Sequence, residues 1–240
     1  MAIAVARRED NPKVVNGYGE VEWLAGTHKL VRGYKCILEK GHTVSPKIYK
    51  DKTVVFIFSQ GTGYITSPSR AYNIDQLSFF VPNFDTEAYS IYAVTDMEYM
   101  MVVTDMLQSD IDGFENTHMV LPSFKTVADC EPYAQSCKGP NTKSWSVLIS
   151  GHLARVLMGI VKAEGEGTIE KGHPAVDQWN YTLPGSDFEL TVDGETIHHG
   201  ESEWSFVPAG LDHSLTAKPG KTVYYIWFEH KTAEIEKGKH

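Results

Sequence analysis

Cysteine is scarce. The 240 residues hold three, Cys36, Cys130 and Cys137. An odd set without CxxC spacing excludes a disulfide framework and points to reduced thiols in a cytoplasmic protein. Long apolar runs are missing as well: none approaches the roughly 20 residues that a membrane helix needs. The opening MAIAVARRED is too short and too charged for a secretory signal. Positive charge is in deficit, with 22 Lys and Arg against 31 Asp and Glu, a net charge of -9. No basic stripe is therefore present to displace counterions from nucleic acid. Neither a P-loop, a dinucleotide fingerprint nor a Ser-His-Asp arrangement occurs. The GTG at 61–63 lacks a third glycine and a following helix, so it reads as a turn. Sustained 3.6-residue periodicity is absent too, which leaves little room for helix.

What is present is strand. HKLVRGYKCILE (28–39), TVVFIFSQ (53–60), LSFFVP (77–82), AYSIYAV (88–94) and EYMMVVTD (98–105) are rich in β-branched and aromatic residues. A second set follows: WSVLI (145–149), HLARVLMGIVKA (152–163), QWNYTL (178–183), FELTVDG (188–194), EWSFVP (203–208) and TVYYIWFEH (222–230). The polar, Pro- and Gly-bearing stretch between them, about 106–140, reads as a connector.

The two sets are copies. ILEKGH (37–42) and TIEKGH (168–173) share EKGH, and Gly41 and Gly61 match Gly165 and Gly185 at a constant offset of 124. A duplication of that length, all strand, predicts two similar β-domains. We place the first at 1–105 and the second at 141–240.

Chemistry concentrates in the second copy. Gly165 is followed after five residues by Lys171-Gly172-His173, after four more by Gln178, and after six more by Gly185. Later comes Pro208-Ala-Gly210-Leu-Asp-His213. Residues 171 and 173, two apart on a strand, face the same way. The next strand brings Gln178 beside them, and His213 follows a Pro-Gly turn on a neighbour. Four such groups inside a closed sheet make a concave, partly dry pocket. Two imidazoles and an amide oxygen suffice for a divalent transition metal with open positions. Lys171 cannot be a ligand: an ammonium about 4 Å from a divalent cation is repelled by roughly 8 kcal/mol at an effective dielectric near 20. It reads instead as an ammonium reaching out to solvent at the barrel mouth, or as a clamp for a substrate anion or a proton shuttle. Among the aromatics, Tyr181, Trp204 and Trp227 read either as core or as the lining of a substrate site. The His198-His199 pair, in HHGES, reads as a turn outside the site.

These spacings resemble the cupin superfamily. Its first motif is Gly, five residues, His-x-His, three or four residues, Glu or Gln, six residues, Gly; its second ends in Pro-x-Gly, two residues, His. The resemblance implies an all-β bicupin of two tandem antiparallel jelly-roll barrels, with the working site in the second. It implies a divalent metal, manganese first, with iron, nickel and zinc as alternatives, held by His173, Gln178 or Asp177, and His213. Lys171 and His213 are then the catalytic candidates, and Lys171, Tyr181, Trp204 and Trp227 the substrate-binding ones. By the same register the first copy offers Lys47, Tyr49, Val54 and Glu87, a degenerate set. The layout is similar to that of the (S)-ureidoglycine aminohydrolases, manganese-dependent bicupins that release ammonia from a small purine-breakdown product. In their motif a Glu opens the set where this chain has Lys171. The expected function is a metal-dependent enzyme, hydrolase or lyase, on a small polar or anionic metabolite, in a cytoplasmic homodimer. The alternatives are a metal-free isomerase or epimerase using His and Lys, and a binding module without turnover.

Overall fold

A computed structural model of the chain describes residues 3–84, 86–117 and 119–233. The chain opens with β1 (Ala4–Ala6). It continues through β2 (Tyr18–Trp23), β3 (Val31–Leu38), β4 (Thr43–Val44), β5 (Lys52–Gln60), β6 (Gly63–Thr66), β7 (Ala71–Ile74), β8 (Ser78–Val81), β9 (Ser90–Ala93) and β10 (Met97–Asp105). The stretch expected as a connector carries α1 (Gln108–Thr117), β11 (Ser123–Thr126) and β12 (Glu131–Tyr133). α1 begins where the Leu107 amide donates to Asp110 Oδ2 at 2.9 Å, a side-chain cap on an otherwise polar helix. The remainder is β13 (Lys143–Leu153), β14 (Val156–Glu164), β15 (Gly167–Glu170), β16 (Val176–Thr182), β17 (Phe188–Val192), β18 (Glu195–His199), β19 (Trp204–Val207), β20 (His213–Thr216) and β21 (Thr222–Lys231).

Two compact units result. One is Asp10–Asp129; the other joins Met1–Glu9 to Cys130–His240. The division thus differs from 1–105 and 141–240 for a visible reason. β11 pairs with β8 and so belongs to the N-terminal unit, while β1 pairs with β19 of the C-terminal unit. In the N-terminal unit the strand orders are β11-β8-β5-β10-β3-β2 and β4-β9-β6-β7. In the C-terminal unit they are β1-β19-β16-β21-β14-β13-β12 and β15-β20-β17-β18. All pairings are antiparallel, and in each unit eight strands alternate between two sheets in jelly-roll order. The fold is all-β with two tandem jelly rolls.

The central strands are buried on both faces, which is why β5 reads KTVVFIFSQ as a nearly unbroken apolar run. In the C-terminal unit the core holds Phe188, Leu190, Val192, Leu215, Val223 and Tyr225. Pairing registers relate the two units position by position. Gln178 faces Glu229 and Asn180 faces Trp227, whereas their counterparts Val54 and Phe56 face Val103 and Met101. Leu215 opposite Leu190 corresponds to Ile91 opposite Ile65. The counterpart of His213 is therefore Tyr89, not the Glu87 inferred from sequence spacing. Among the described residues no helix is long and apolar enough to cross a membrane.

Candidate functional site

Two strand pairs and one turn assemble the site in the C-terminal unit. β15 and β20 set Glu170 opposite His213, and β16 and β21 set Gln178 opposite Glu229. His173 comes from the turn after β15. Its carbonyl accepts from the Gly210 amide at 2.9 Å, and the Gly172 amide donates to Asp212 Oδ1 at 2.6 Å. A Cβ on Gly172 would overlap the Gly210 carbonyl, so glycine is what lets the two turns touch.

The imidazoles of His173 and His213 lie 6.2 Å apart, centre to centre, edge to face. His213 is buried, and its Nδ1 lies 3.2 Å from the Leu211 carbonyl, an acceptor. That contact places the proton of the neutral ring on Nδ1 and leaves Nε2 with a bare lone pair. Nε2 has no hydrogen-bond partner and is directed toward Glu170 Oε2 at 3.6 Å. His173 Nε2 approaches the same oxygen at 3.9 Å. Acceptors facing one another across such a gap call for a cation or a proton between them.

Glu170, His173 and Gln178 open onto a cavity of about 510 Å³, with Lys138, Tyr133, Trp227 and Glu229 on its other walls. Burial and the charge of Glu170 push the Glu229 carboxyl up to about 7. Burial also lowers the Lys138 ammonium, against the pull of Glu170. The Tyr133 hydroxyl accepts from Lys138 Nζ at 2.7 Å and from Trp227 Nε1 at 3.0 Å, which fixes both donors on one wall. Gly159 makes room for Trp227, since a Cβ there would collide with the indole. Cys137 Sγ lies 3.6 Å from Glu170 Oε1, and burial raises its thiol.

His173, Gln178 and Trp227 thus line one cavity, and His213 lies against His173 and Glu170 beside it. Four expectations are corrected. Lys171 is exposed and does not line the cavity; β15 ends at Glu170, so the alternation that would have turned Lys171 inward has already stopped. The ammonium in the cavity is Lys138. Asp177 alternates to the opposite face of β16 from Gln178, and its Oδ1 accepts from the Ala209 amide at 3.0 Å. Tyr181 and Trp204 lie on that opposite face too, buried and packed ring to ring at 6.4 Å, in the core rather than in a substrate site. Glu170, Lys138 and Glu229 were not among the site residues expected from the sequence. The available signal for Glu170 was the alternation of buried Thr168, exposed Ile169 and inward Glu170, disguised by the apolar outward residue.

Among the described residues, no group of three His, Cys, Asp or Glu is already drawn up to metal-holding distance. Glu170 Oε2 is approached by both His173 and His213, and Gln178 lines the same cavity as Glu170 and His173. Two ligands each about 2.1 Å from an ion at a tetrahedral angle lie about 3.4 Å apart. Separations of 3.6 and 3.9 Å need only a few tenths of an ångström of closure.

No family model and no curated protein matches the sequence. Solved structures do match in shape. A glyoxylate-induced protein from Pseudomonas aeruginosa aligns at TM-score 0.75 and 9% identity, over 94% of this chain and 84% of its own. A variant of oxalate decarboxylase from Bacillus subtilis aligns at 0.70 and 11%, over 96% and 78%. A cupin 2 conserved barrel domain protein from Leptotrichia buccalis aligns at 0.66 and 14%, over 97% and 98%. With eight jelly-roll strands in each of two units and these neighbours, the chain is a protein of the cupin fold in its two-domain form.

Proposed function

We propose that the C-terminal unit is a divalent-metal site acting on a small polar metabolite. One observation carries this: the buried, partnerless Nε2 of His213, directed at a carboxylate oxygen that His173 also approaches. Glu170, His173 and His213 would hold the ion, with the Gln178 oxygen beside them. Bound there, a divalent ion supplies Lewis-acid polarisation of a substrate carbonyl or carboxylate. Mixed nitrogen and oxygen donors suit manganese or iron. Glu170 also supplies, one position early, the carboxylate that opens the motif of the (S)-ureidoglycine aminohydrolases. That supports hydrolase or lyase chemistry of their kind.

The cavity's own charges select the rest of the substrate. Lys138, fixed on Tyr133, is placed to bind a carboxylate. Glu229 is placed to accept from an amino or ureido N–H, or to hold the proton that leaves with it. A cation on Glu170 removes one of the two causes that raise Glu229 and leaves burial as the other. Trp227 covers the apolar side. Two structural neighbours carry names tied to two-carbon acids, glyoxylate and oxalate, which supports a metabolite of similar size.

Elemental analysis of protein purified without chelators or an added affinity tag tests the reading. The expected result is about one divalent transition metal per chain, lost in His213→Ala and Glu170→Gln and retained in Lys171→Met. Ion-free protein from manganese-supplemented cells overturns it.

A further inference from the structure

The interior of the C-terminal unit carries a line of polar side chains where a jelly roll needs only apolar ones. Gln178 Nε2 donates to Asn180 Oδ1 at 2.9 Å, and Asn180 Nδ2 donates to Ser205 Oγ at 3.5 Å. Ser205 Oγ lies 3.0 Å from His199 Nε2, and His199 Nδ1 lies 2.6 Å from Glu203 Oε2. The Gly200 amide at 3.0 Å and Arg7 at 2.9 Å hold the Glu203 carboxylate. All five side chains are buried.

The terminal carboxylate dictates the direction of every link. An ionised Glu203 only accepts, so His199 carries its proton on Nδ1 and offers Nε2 as an acceptor. Ser205 must then spend its one proton on His199. Its oxygen is left to accept, so Asn180 must present its NH2 to Ser205 and its oxygen to Gln178. Gln178 in turn must donate, which leaves its Oε1 for the cavity that it lines.

The N-terminal unit is an internal control. By pairing register the counterparts of Gln178, Asn180, Ser205, His199 and Glu203 are Val54, Phe56, Phe80, Ile74 and Ser78. Phe56 and Phe80 simply pack at 6.1 Å. The same fold stands without the polar line, so the fold is not what requires it.

We propose that His199, anchored by Glu203, is a positioning residue that acts through Ser205 and Asn180 to lock the Gln178 carboxamide with its oxygen facing the cavity. The role of that oxygen as an ion donor rests on the proposed function; the lock itself does not.

The experiment has two arms. Side-chain amide NMR of metal-free protein, with the Gln178 signal assigned by its loss in Gln178→Leu, follows exchange with solvent. A Gln178 amide proton protected in wild type and at least tenfold less protected in Ser205→Ala and His199→Phe supports the lock. Unchanged protection in both variants overturns it. Manganese titration then reads the consequence. Ser205→Ala weakens binding about tenfold, and adds little to the loss in Gln178→Ala. Additive losses overturn transmission through Gln178. If wild type binds no manganese, the metal reading falls and the exchange arm alone judges the lock.

Discussion

Lys35 is an ammonium with no exposed surface. It survives in the N-terminal unit because Nζ lies 2.6 Å from Glu98 Oε2 and 5.5 Å from the centre of the Trp23 ring. The pair is asymmetric: Glu98 keeps 28% of its side-chain surface in water. Removing the acid strands a desolvated charge, whereas removing the base leaves a carboxylate that water still reaches. Glu98→Ala should therefore cost about 2–3 kcal/mol, and Lys35→Met less than about 1 kcal/mol, read from denaturant midpoints. Equal losses would show that the ion pair itself, not the buried ammonium, sets the energy. At the candidate site single residues were unevenly legible. His173, Gln178 and His213 could be found because motif spacing counts residues, and spacing survives in the sequence. Lys171 was misplaced because the count assumes that the strand runs on, and β15 stops one residue earlier. Lys138 and Glu229 had no local signal, since what makes them part of the site is burial in a shared cavity.

At the scale of elements, the meeting of Glu170 and His213 depends on how closely β15 approaches β20. Gly167, opposite Thr216, lies so near that a Cβ would overlap the Leu215 carbonyl oxygen, which is backbone and cannot swing aside. Gly167→Ala should push β15 off β20 and take Glu170 out of reach of His213. The expected cost is about 1–3 kcal/mol of stability from overpacking, with loss of bound metal beyond what that destabilisation explains. Circular dichroism melts and metal content measure the two effects, and full metal content in a folded variant would refute the dependence. The long central strands were readable because burial on both faces writes itself as apolar runs, as in β5, β10 and β21. Five short ones were not. β4, β7, β15, β18 and β20 span two to five residues with mixed exposure, and their pairing partners, not their composition, make them strands. α1 escaped notice because its ten residues carry Gly113 and little apolar surface.

The whole molecule is threaded so that sequence neighbours and structural neighbours differ at the start of the chain. Residues 1–9 belong with the unit that begins at Cys130, through β1 on β19 and through the ion pairs Arg7–Glu203 and Arg8–Glu201. A chain lacking residues 1–9 should therefore weaken 130–233 while leaving 10–129 nearly untouched, although the latter directly follows the cut. Hydrogen exchange resolved by peptide separates these outcomes. Faster exchange concentrated in β16, β18 and β19 is expected, and faster exchange confined to β2 and β3 would contradict the threading. The loss has a pH signature. Burial raises the Glu203 carboxyl, but the His199 N–H and Arg7 outweigh it and hold it below the usual range. A carboxylate depressed in the folded state contributes stability above its unfolded pKa, about 4.3, and loses it as pH falls through the lower folded value. Without Arg7 part of that depression is gone, so the folded value moves up toward the unfolded one. The truncated protein should begin acid unfolding at a higher pH than the full chain, with the shift seen in 130–233 alone. Since Glu203 also ends the hydrogen-bonded line to Gln178, the same truncation should loosen the Gln178 amide at neutral pH, before any unfolding sets in.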